Sequence, residues 1–163
     1  MIILGYVGYA IHLTKAKCRR RRVLAELGTP PVVMKDFTTP EGAILCLEAT
    51  YPQNDIEAAV ACHDFETDAR LHLRKIGVEG EVLQQMLPKI TEVIEASYRK
   101  SQETYGLPSG WDKAVSYFVK REPVGEGLVV VSKVTVGPDG SVLRQRIMVS
   151  NTPNGWRVVS VTE

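Results

Sequence analysis

Apolar residues recur every three or four positions as far as about Tyr105, and from Lys113 onward they recur every second position. The first period puts one apolar face on a helix and the second puts one on a strand, so helices and strands are segregated along the chain. Thr39 is a good N-cap, Pro40 sits where its missing N–H costs nothing, and Glu41 complements the helix dipole, predicting a helix from about Pro40 to Tyr51. Pro52 and Asn54 break it, and Asn54 with Glu57 makes a capping pair for a short second helix through about Cys62. Asp64 caps a third, with Phe65, Ala69, Leu73 and Ile76 on one face before Gly77. The longest helix carries Val82, Leu83, Met86, Leu87, Ile90, Val93, Ile94, Tyr98 and Tyr105, and Pro88 is expected to kink or split it. Val115–Val119, Leu128–Val136, Val142–Val149 and Trp156–Val161 then read as strands. Turn signals at Gly137–Gly140 and Asn151–Gly155 make the last three an antiparallel meander. The expectation is an α+β fold: N-terminal helices packed on a curved antiparallel sheet of about four C-terminal strands.

A chain of 163 residues fits one such domain, here placed at residues 36–163 behind an extension of residues 1–35. Within the extension, Ile2–Leu13 is apolar but shorter than the roughly 20 residues a spanning helix needs. Its positive charges, Lys15, Lys17 and Arg19–Arg22, follow the apolar stretch, the reverse of a secretory signal. Interfacial contact with anionic lipid, packing on the domain, and a start upstream of the true domain are its three readings, with membrane contact the least favoured. No aromatic residue interleaves the arginines to stack on bases, so a nucleic-acid partner is not expected. Leu27–Pro31 reads as a helix stop and linker. An odd set of three cysteines, Cys18, Cys46 and Cys62, without metal-ligand spacing, points to reduced thiols in the cytoplasm.

The formal charge of +1 hides an acidic run: Asp36 to Asp68 holds eight acids and no Lys or Arg. Its side chains Glu41, Glu48, Asp55, Glu57, Asp64, Glu66 and Asp68 read either as a solvated face or as a docking surface for a basic partner. His63 and Asp64 are the candidate acid/base pair, although Asp64 also suits an N-cap and His63 a surface turn. His72, between Leu71 and Leu73, reads as partly buried, and His12 lies in the extension. Nothing here has the spacing of a metal site, a phosphate loop or a nucleophile elbow, so neither metal nor cofactor is expected. Arg144 and Arg146 share a strand face that is solvated by default. Leu128–Val136 is apolar on both faces, which suggests a homodimer through the sheet.

The paired opening helices around Asn54-Asp55-Ile56-Glu57-Ala58-Ala59, the long helical region after them and the closing Gly155-Trp156-Arg157-Val158 resemble the nuclear transport factor 2-like superfamily over about Thr38–Val161. That superfamily usually inserts a strand pair between its second and third helices, whereas Phe65–Tyr105 reads as helix throughout, implying an incomplete ligand cone. The resemblance implies a non-enzymatic bacterial immunity protein that binds and neutralises a cognate toxin protein by direct occlusion. It equally allows a small-molecule enzyme or ligand-binding protein of isomerase, cyclase or dehydratase type, with His63 or Asp64 as its base.

Overall fold

Thr39 accepts a 3.0 Å hydrogen bond from the Gly42 amide and starts α2, Pro40–Thr50. Upstream of it residues 17–27 form α1. The structure is a computed structural model, and it describes residues 17–110, 113–125 and 127–162. Ile2–Leu13 and His12, and with them the lipid-contact expectation, lie outside the described residues. A 3₁₀ turn, Tyr51–Gln53, follows α2 and ends on Asn54 in the left-handed region at φ 50°. The N-cap of α3, Ile56–Ala61, is therefore Asp55 rather than Asn54, and it accepts from the Ala58 amide at 3.0 Å. Asparagine tolerates positive φ better than most residues, and in this turn its side chain is free to reach across the fold. Asn54 Oδ1 accepts from the Leu107 amide at 2.9 Å.

Asp64 caps α4, Phe65–Lys75, through the Thr67 amide, as its position predicts. The long helix α5, Gly80–Tyr105, runs through Pro88 without being split. Leu83, Leu87, Ile90 and Ile94, on either side of the proline, share one apolar cluster with Ala69 and Leu73 of α4. Packing against α4 carries the helix across the single hydrogen bond that the proline removes.

Four strands, β1 (Val115–Gly125), β2 (Leu128–Val136), β3 (Val142–Thr152) and β4 (Gly155–Thr162), form an antiparallel sheet in sequence order. The architecture is thus α+β with N-terminal helices, and the sheet is open rather than rolled into a closed cone. Its inner face packs under α2 and α3, with Ile44, Leu47, Ala59 and Cys62 against Val129, Val131, Ile147, Val149 and Val158. The joint between α3 and α4 pairs with the β4 edge: the Asp64 amide donates to the Val158 carbonyl at 2.8 Å, and the Val158 amide to the Cys62 carbonyl at 2.9 Å. On the opposite edge, β1 carries two register shifts, Pro123 and charged side chains, features that discourage another strand from pairing.

The second sheet face also finds cover within the chain. Tyr117 is buried and donates its hydroxyl to the Gly28 carbonyl at 3.0 Å, while Arg20 of α1 donates to the Lys113 carbonyl at 2.7 Å. Farther along that face Glu122 bridges Lys120 at 2.8 Å and Arg146 at 3.6 Å, above the buried Val130. The apolar alternation that suggested a second copy is met at these points by α1, by the residue after it and by long charged side chains. No helix among the described residues is long and apolar enough to cross a membrane.

Candidate functional site

Where α2 and α3 meet the C-terminal end of α5, the helices leave a cleft of about 490 Å³ lined by Tyr51, His63, Tyr98 and Tyr105. Each residue is placed by a different local rule. Tyr51 begins the 3₁₀ turn that Pro52 enforces, and His63 is fixed by the pairing of its neighbours with Val158. Tyr98 and Tyr105 lie two turns apart on α5, and Asn54 ties the end of that helix to the α2–α3 turn. The His63 ring stacks on Phe65 with centroids 5.3 Å apart and meets Tyr98 at 4.6 Å. His63 is therefore an aromatic-cluster residue, not the surface turn residue that its neighbours in sequence suggest. Its Nε2 is buried and has no hydrogen-bond partner among the described residues.

Burial decides the protonation of this cluster. It pushes His63 down to about 4, Tyr98 up to about 12, Cys62 up to about 11, and the Tyr51 hydroxyl higher still. All four are neutral at physiological pH, so the cleft is a polar-tipped aromatic surface without a group poised to exchange protons near neutrality. An unfolded histidine takes up its proton near 6.5, whereas the folded His63 does so only near 4. The stability it supports is complete above the unfolded value and is lost as pH falls through that window. The expected loss from this residue is about 2 kcal/mol at pH 5. His63→Phe should flatten the decline in urea midpoint between pH 7 and pH 5 relative to wild type; parallel declines would contradict the assignment.

Asp64 does not join His63. Its Oδ1 accepts from the Thr67 amide at 3.0 Å and its Oδ2 from the Ser150 hydroxyl at 2.6 Å, in a separate groove of about 710 Å³ that also meets Arg70 and Arg74. Burial would raise this carboxyl, but the bonds from Ser150 and Thr67 with the charge of Arg70 outweigh it and hold it below the ordinary value. The two adjacent residues face different cavities, which separates the expected acid/base pair. His72 is exposed rather than half-buried, because the inward stripe of α4 passes through Ala69 and Leu73.

The acidic run is not a continuous negative surface in space. Glu41 pairs with Arg121 of β1, its Oε1 accepting from Nε at 3.1 Å. Glu66 pairs with Arg70 at 2.5 Å, and Glu57 pairs with Arg99 of α5. Asp55 and Asp64 cap helices, and Asp68 is half-buried, with burial raising its carboxyl. Glu48 turns inward to form an ion pair with Lys133, whose side chain is wholly buried on the inner sheet face, and accepts from the Ser116 hydroxyl at 3.3 Å. Burial pulls Lys133 down to about 7, far below the usual lysine range. Lys133 hides in the sequence inside an apolar strand; the polar step Ser132-Lys133 is the one sign that something across the core must answer it. Neither Asp55 nor Glu57 lines the tyrosine cleft: Asp55 follows Asn54, which meets Leu107 of the cleft wall, and Glu57 is paired with Arg99, the neighbour of Tyr98 on α5.

Among the described residues no group of three or more His, Cys, Asp or Glu is placed to hold a metal ion. Comparison with protein-family models, with curated proteins and with solved structures gives no match.

Proposed function

We propose that this chain is a protein-binding member of the nuclear transport factor 2-like class, acting in the cytoplasm as an immunity protein that occludes a cognate toxin. The observation that carries the reading is Tyr105, 85% exposed on the rim of the cleft that Tyr51 and Tyr98 also line. An exposed tyrosine over an aromatic cleft has the anatomy of an interface anchor. Asp55, exposed next to Asn54, favours a basic partner, as expected of a protein that acts on nucleic acid, and would speed encounter more than it deepens affinity. The neutral forms of His63, Tyr51, Tyr98 and Cys62 suit a contact surface better than an acid/base centre.

The test is capture of the partner from the native cell, followed by titration of the purified pair. Tyr105→Ala should weaken binding about thirtyfold, the effect of losing a 2 kcal/mol hot spot. Raising the ionic strength should instead slow association. Glu41, Glu48 and Glu57 are unsuitable for charge reversal, because each is matched to a cation within the fold. A complex indifferent to both sets of changes, or self-association with no partner, overturns the proposal. The buried His63 Nε2, without a partner among the described residues, favours a second reading, a small polar ligand in the same cleft, for which a metabolite thermal-shift screen is the check.

A further inference from the structure

We propose that a second cleft, of about 550 Å³ between α2, β1 and the segment of residues 30–35, binds a small neutral molecule with an apolar body and a primary carboxamide head. This site stands apart from the tyrosine cleft and does not depend on the reading above. Its walls are built before any ligand arrives. Tyr117 holds the Gly28 carbonyl at one end of the segment. At the other end the Met34 and Asp36 carbonyls lie against Gly42, where a Cβ would come within 2.7 Å and 2.4 Å of them. Val33 lines the cleft, while Val32 and Met34 on either side of it are exposed. With Pro30, Pro52, Val115 and Phe118 it makes an apolar wall, the composition of a small-molecule site that needs only a few placed polar groups.

Those polar groups are Glu48 of α2 and Ser116 of β1, which both line the cleft. The Glu48 side chain keeps 12% exposure, whereas Lys133, its ion-pair partner, has none, so an occupant reaches the carboxylate and not the ammonium. An anionic head would meet Glu48 without touching the cation that balances it. A cationic head would share that carboxylate with Lys133 and find Lys35 on the same wall. The head that fits is neutral and donates to Glu48. The Ser116 hydroxyl donates to Glu48 Oε2 at 3.3 Å, long against the roughly 2.7–2.8 Å usual between oxygens, so it loses little by turning to a new acceptor. A primary carboxamide carries an N–H and a carbonyl side by side: the N–H donates to Glu48 Oε2, and the carbonyl accepts from Ser116. One long bond is thereby replaced by two, one of them to a charged acceptor.

The experiment uses the full chain with isotope-labelled alanine methyls, titrated by NMR with 4-ethylbenzamide, methyl 4-ethylbenzoate, 4-ethylbenzoate and 4-ethylbenzylamine. The four probes share one apolar body and differ in the head: donor with acceptor, acceptor alone, anion and cation. Saturable shifts of the Ala49 and Ala114 methyls, both on the cleft wall, are expected with the amide, with affinity at least about tenfold weaker for each of the other three. Ser116→Ala should weaken the amide about tenfold while the urea midpoint stays close to wild type. Ala49→Phe, at a half-buried position on the wall, should fill the cleft and abolish the shifts. Equal affinity for amide and ester, preference for the carboxylate or the amine, indifference to Ser116→Ala, or no saturable shift at these methyls would each overturn the proposal. Amide binding that survives in a folded Ala49→Phe variant would place the probe elsewhere and overturn it as well.

Discussion

Glu48→Ala is expected to destabilise the protein by about 3–5 kcal/mol, because it leaves a buried lysine without its carboxylate. The Lys133 side chain has no exposed surface, and the Glu48 side chain retains only 12%. Neither charge can recover its hydration while the fold persists, so removing one partner exposes the full desolvation cost of the other. The variant should also acquire a particular pH dependence. With Glu48 gone, Lys133 is held still further below its ordinary value, so between that folded value and the ordinary lysine range the unfolded chain binds a proton that the folded chain lacks. Wild-type Lys133 already sits at about 7, so both proteins gain stability alike above neutrality, and the deficit of the variant narrows as pH rises toward about 7 from below. Glu48→Leu combined with Lys133→Met should restore most of the loss, since a matched apolar pair has no charge to desolvate. Urea unfolding of wild type and the two variants in mild acid and at neutral pH measures both effects. A double variant as unstable as the single one would mean that α2 needs the pair for its position and not merely for neutrality.

Gly155→Ala is the second large effect. Gly155 opens β4 at φ 93°, and a Cβ built there would lie 2.5 Å from the Phe37 carbonyl oxygen and 2.9 Å from Phe37 Cβ. That carbonyl cannot step aside freely, because it accepts the Trp156 amide at 2.8 Å. The backbone conformation alone costs a non-glycine residue about 1–3 kcal/mol, and the collision adds to it, so a loss of about 3 kcal/mol or more is expected. Gly127→Ala is the matched control: its φ is 68°, but its nearest neighbour would lie at an ordinary 3.7 Å. The difference between the two variants in denaturant midpoint isolates the collision. Equal losses would show that Phe37 yields at no cost.

What could be read from the amino-acid order was local. Thr39 and Asp64 cap the helices they precede, and the turns at Gly137–Gly140 and Asn151–Gly155 set a meander whose strands pair with their sequence neighbours. Asn54 and Asp55 are both capping residues and adjacent, so composition alone could not choose between them; the left-handed turn claimed the asparagine. The candidate site was scarcely legible. Its tyrosines come from α5 and from the end of α2, and no spacing rule joins residues so far apart. The acids misled for the same reason: Arg70 is near in sequence, but Arg99, Arg121 and Lys133 answer Glu57, Glu41 and Glu48 from distant elements. His63 was placed by a strand pairing with Val158 that nothing in its own neighbourhood announces.

That pairing orders events in time. The partners that fix Phe37 and the Cys62–Asp64 joint belong to β4, which follows the other three strands of the sheet in chain order, so α2 and α3 leave the ribosome long before the surface they rest on exists. The three hairpins of the sheet, in contrast, can each form as soon as their own residues appear. For most of synthesis the apolar sides of α2 and α3 have no permanent cover, and they are the surfaces a chaperone would meet on a nascent chain.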